Sequence, residues 1–98
     1  MLEVFSRELE TASREVNEAK IMYAYSHYQL DQAWKKHNLF ADEDPRFLNP
    51  DCSEEEVQKF RNQLAILLEV ALDWEAEKKA AYLRMDAAKV NLLNLLED

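Results

Sequence analysis

The stretch Leu64-Ala65-Ile66-Leu67-Leu68-Glu69-Val70-Ala71-Leu72 decides how this chain folds. Glu69 is its single polar residue. A helix that is apolar on every side has to be covered on every side, whereas one partner helix covers only a stripe. The stretch therefore asks for more than a hairpin partner: a third and fourth helix, or another protein.

Working outward, residues 53–97 read as one helix. Ser53-Glu54-Glu55-Glu56 has the form of a capping box, and its three carboxylates suit a helix N-terminus. Apolar or small residues then recur at spacings of three and four: Val57, Phe60, Leu64, Leu67, Ala71, Trp74, Ala81, Met85, Ala88, Leu92 and Leu95. Lys78 alone interrupts this seam, and its long aliphatic stem predicts that the amine reaches past the core to solvent.

Residues 2–37 give the partner helix. Leu2, Leu9, Val16, Tyr23 and Leu30 alternate with Phe5, Ala12, Ala19, Ser26 and Ala33 in a heptad pattern. The small residues along one edge permit close helix–helix approach. Glu3–Arg7, Glu10–Arg14 and Asp31–Lys35 stand four apart in the favourable acid-first order, each worth about 0.2–0.5 kcal/mol. Lys35, Lys36 and His37 suit the negative C-terminal end, with Asn38 as the residue just past it.

Residues 38–52 connect the two helices. Asp44 before Pro45 has the form of a cap on one short helical turn. Leu39, Phe40, Phe47 and Leu48 are expected to fold back and close the end of the bundle. Helices of these lengths span roughly 54 and 67 Å. Residue 2 is then expected near residue 88, with Leu92, Leu93, Leu95 and Leu96 overhanging. The expected fold is all-α: one domain, residues 1–98, forming a long antiparallel, coiled-coil-like hairpin that completes a four-helix bundle by dimerisation.

Composition agrees. The 98 residues include no Gly and two Pro, and helix formers dominate. The formal net charge of −8 disfavours direct binding to nucleic acid or anionic membrane surfaces. Cys52 is the only cysteine, so no internal disulfide is available and a cytoplasmic setting is expected. Asp51 and Glu54–Glu56 surround it with negative charge, which predicts an inert thiol. No apolar run reaches the ~18 residues of a membrane span, and no signal peptide is apparent.

Chemistry-bearing patterns are sparse. Without Gly there is no phosphate-cradling loop. His27 and His37 lack a Glu three residues before them, and His27 with Asp31 supplies two donors, short of a metal site. No nucleophile, base and orienting group form a recognisable set. The sequence therefore predicts no enzyme, no cofactor and no metal.

Interaction surfaces are better marked. The off-seam residues Tyr25, Tyr28, Ile66, Val70, Leu93 and Leu96 are the expected interface, used by a second copy or by another protein. A hairpin alone is expected to expose such residues as a contiguous patch. Residues 38–56 carry seven carboxylates against Arg46, or −6 of the total −8. Asp42, Glu43, Asp44, Asp51, Glu54 and Glu55 are the expected acidic tip. The expected function is a non-enzymatic protein–protein interaction module (adaptor, chaperone or assembly factor) working as a homodimer. The alternative is a small acidic inhibitor, of the kind phages encode, that blocks a larger host enzyme such as a nuclease or polymerase.

Overall fold

The computed structural model describes residues 2–97. It is a helical hairpin. Helix α1 (Leu2–Ala41) and helix α3 (Glu54–Glu97) run antiparallel, and a single turn, α2 (Pro45–Leu48), sits in the connection. The molecule measures 77 × 16 × 14 Å, with a radius of gyration of 22.0 Å. A compact chain of this length would have about 13 Å. Two helices side by side make one layer, so the core is a single line of side chains.

That line is the heptad seam. Ala12, Val16, Ala19, Ser26 and Ala33 of α1 are buried with Phe60, Ala71 and Ala81 of α3. Tyr23, Leu30, Leu64, Leu67, Trp74, Met85, Ala88, Leu92 and Leu95 are half-buried along its edges. Most of the fully buried positions are small. They let the helices approach, and the larger seam residues lie partly over them. Leu2 and Phe5, at the open end, stay exposed.

The hairpin differs from expectation at its turn. Helix α1 runs one turn beyond His37, so Asn38 is helical and no described residue has positive φ. The extra turn carries Phe40 onto Phe60, with ring centroids 4.9 Å apart and nearly parallel planes. This apolar contact outweighs the local preference of Asn38 for a helix end. Asp42 N–H to the Asn38 carbonyl (3.3 Å) and Glu43 N–H to that of Phe40 (2.9 Å) finish the helix instead. The longer α1 also shifts the pairing. Val4 and Glu8 line a cleft with Leu95, so the C-terminal leucines do not overhang. Only Phe40 of the four apolar connection residues folds inward. Leu39, Phe47 and Leu48 are exposed.

The connection is held by local bonds. The Asp44 carboxylate accepts the Arg46 N–H at 2.9 Å and the Arg46 Nε–H at 3.0 Å, while Pro45 takes the first helical position. Asn49 N–H donates to the Pro45 carbonyl at 2.8 Å, and Cys52 N–H to the Asn49 carbonyl at 3.0 Å. Helix α3 begins one residue later than expected, at Glu54. The Ser53 hydroxyl accepts the Glu56 N–H at 3.2 Å, as a cap should. On the helix surfaces Asp31–Lys35 closes at 3.0 Å, while Arg14 turns to Glu18 (4.0 Å) rather than to Glu10.

Candidate functional site

Two long sides and one tip remain uncovered. The first side is a groove. Three clefts of 430–520 Å³ run end to end along it, sharing Glu15 and Asn91 between two of them and Met22 between the next two. Ala12, Ala19, Ser26 and Ala88 form its floor, because the small residues of the α1 seam face this way. Its rims are acidic: Glu8, Glu15, Glu18, Asp73 and Glu77 stand against Arg7 and Arg84. Tyr25 and Val70 share its cleft nearest the turn. Ile66, 52% exposed, lies one turn before Val70 on the same helix face. Tyr25 also packs edge-on against Trp74, with centroids 5.8 Å apart, so it is anchored rather than free.

The second side carries another set. Leu72, Glu75, Lys79 and Tyr82 of α3 line one cleft with Tyr23 and Leu30. Tyr82 leans on Tyr23 at 5.9 Å. The Lys78 amine lies 5.8 Å from the Tyr23 ring centre, so the seam lysine emerges across an aromatic face. Leu68, Leu93 and Leu96 follow the same heptad phase and are exposed. Leu72 is 48% exposed. Exposed apolar residues therefore lie on both sides of α3, with Leu83 and Val90 exposed as well. Tyr28 stands on the outer back of α1, exposed and apart from both. Of the six residues expected at an interface, Tyr25, Ile66 and Val70 come together, Leu93 and Leu96 pair on the opposite side, and Tyr28 joins neither. Leu68, Leu72 and Tyr82 belong with Leu93 and Leu96. They were legible as residues four and three apart, once the phase of the main seam was known.

At the tip, Asp42, Glu43, Asp51, Glu54 and Glu55 are exposed. Asp44 is not: it is 5% exposed, covered by its own loop and by Arg46. The Arg46 side-chain hydrogen bonds, then its backbone N–H, hold the Asp44 carboxyl at about 2, below its ordinary 3.8. The same pairing raises Arg46. Asp44 thus serves the turn rather than the surface. The turn in consequence presents Phe47 and Leu48, 81% and 74% exposed, among the exposed carboxylates.

Among the described residues no three His, Cys, Asp or Glu side chains converge as metal ligands, and no helix is long and apolar enough to cross a membrane. Compared with protein-family models, with curated proteins and with solved structures, the chain matches none.

Proposed function

We propose that this chain is a non-enzymatic protein-interaction module that self-associates as a homodimer, completing a four-helix bundle, and that serves as an adaptor, chaperone or assembly factor. One observation carries this reading: the apolar band Leu64–Leu72 remains half uncovered in the hairpin, with Ile66 on one side and Leu72 on the other. The surface area points the same way. The chain exposes 7682 Å², whereas a compact monomer of this mass exposes about 5,800 Å². Surface of that kind is what oligomerisation or a partner removes.

The test is solution mass by light scattering across a dilution series. A species near twice 11.6 kDa is expected. The double variant Ile66→Asp/Leu72→Asp places a charge on each side of the band. It is expected to lose association while its circular dichroism stays helical, since both residues are exposed. Association that survives both charges would sink the reading.

The tip supports a second reading, a small acidic inhibitor that blocks a larger host enzyme such as a nuclease or polymerase. Phe47 and Leu48 would enter an apolar hollow whose rim is basic, with the carboxylates setting approach and orientation. Reversal of Asp42, Glu43 and Asp51 to Lys tests it. Asp44 is left intact so that the turn survives. Unchanged inhibition after reversal would count against the tip.

A further inference from the structure

Helix α3 carries a second heptad seam that is complementary to itself, and we infer that a second copy of the chain docks along it, antiparallel, about a two-fold axis beside Tyr82. The inference rests on the self-association proposed above and adds the surface and the register.

The seam consists of Leu68, Leu72, Glu75, Lys79, Tyr82, Asp86, Lys89, Leu93 and Leu96, spaced alternately four and three apart. Such spacing keeps residues in one stripe along a helix. Four of them line a single cleft on one side of the hairpin, and every one is exposed. The order is a palindrome in chemical character. Reading away from Tyr82, both directions give a charge, a second charge of opposite sign, then two leucines. A two-fold axis perpendicular to α3 at Tyr82 brings Lys79 alongside the mate's Asp86 and Glu75 alongside its Lys89. It also brings Leu72 and Leu68 alongside the mate's Leu93 and Leu96. Each pairing occurs twice by symmetry. Among the described residues, none pairs with Glu75, Lys79, Asp86 or Lys89 in an ion pair.

The charges also select the register. Sliding the mate by one heptad in either direction sets Lys79 against Lys79 or Asp86 against Asp86, and leaves leucines facing charges. Like charges facing each other are strongly disfavoured. The opposite side of α3 lacks this palindrome. There the apolar Ile66 and Val70 lie at one end and the polar Asn91 and Asn94 at the other, with Asp73, Glu77 and Arg84 between them, so a two-fold axis would set apolar residues against asparagines. On α1, Ala24 follows Tyr23, which packs on Tyr82, and is exposed. A small residue at that level lets a second layer close over the axis.

Charge reversal with mixing tests the register. Lys79→Glu and Asp86→Lys each set two like-charge pairs across the axis. Each variant alone is expected to weaken association about tenfold or more, while an equimolar mixture of the two restores it, because every pair in the mixed dimer is again opposite in sign. A dimer indifferent to both reversals, or a mixture that fails to recover, overturns the register and leaves self-association standing. An unmodified chain that stays monomeric throughout the dilution series removes self-association and the seam together. If either reversal fails to fold, Tyr82→Cys in a Cys52→Ser chain reads the same axis. A disulfide-linked dimer on oxidation supports it, and its absence overturns it.

Discussion

Asp44 shows how one side chain can be taken out of a surface that its neighbours define. The carboxylates around it, Asp42, Glu43, Asp51, Glu54 and Glu55, stay exposed, but Asp44 accepts the N–H of Arg46 and pairs with its guanidinium, which fixes α2. The depressed pKa has a consequence for folding. The unfolded chain titrates this group near 3.8 and the folded chain near 2. Its stabilising contribution is thus complete above about pH 4 and is lost as pH falls toward 2. Asp44→Asn keeps an acceptor at the cap but not the charge. It is expected to lower the melting temperature at pH 7, with the difference from the unmodified chain closing by pH 2. An NMR titration of the Asp44 side-chain carboxyl should give a midpoint near 2. A midpoint near 3.8 would mean that the Arg46 pairing does not persist in solution.

The helices illustrate what pattern alone can and cannot deliver. Every seam residue assigned to α3 is buried or half-buried, because a 3.5-residue apolar repeat leaves a long helix only one face to hide. The end of α1 was not legible. Asn38 after three basic or imidazole side chains looks like a stop, and the stacking of Phe40 on Phe60, which overrides it, joins residues twenty apart. The same extra turn accounts for part of the shift that brings Val4 beside Leu95 rather than leaving the C-terminal leucines overhanging. The tip carboxylates could be counted in the sequence, but the sequence did not show that one of them turns inward. Small seam residues set the interhelix distance. Ala71 is fully buried, and Ala71→Leu should wedge the helices apart and destabilise the hairpin by about 1–3 kcal/mol, measured by chemical denaturation. A variant as stable as the original would mean that the helices have slack at this level.

At the scale of the whole molecule, shape governs what can hold it together. A core one residue wide has no centre, so no residue is far from water and the apolar excess on α3 has nowhere internal to go. In the register proposed, the axis at Tyr82 lies toward the open end. Each hairpin of 77 Å then reaches ~20 Å beyond the axis, so the two overlap over roughly 45 Å and make a rod about 110 Å long with an acidic tip at each end. The hairpin geometry also orders its own assembly in time. Near the turn, pairs such as Phe40 and Phe60 close a short loop, whereas Val4 and Leu95 close nearly the whole chain. Loop-closure entropy rises with that separation. The helices should therefore zip from the turn toward the open end, and fray in reverse. Amide exchange is expected to grade from slow near Phe60 to fast near Leu92 in dilute solution, and that gradient should flatten as concentration rises. The segment that closes last holds Leu93 and Leu96, so a second copy would arrive where the zipper is still open and act as its clasp.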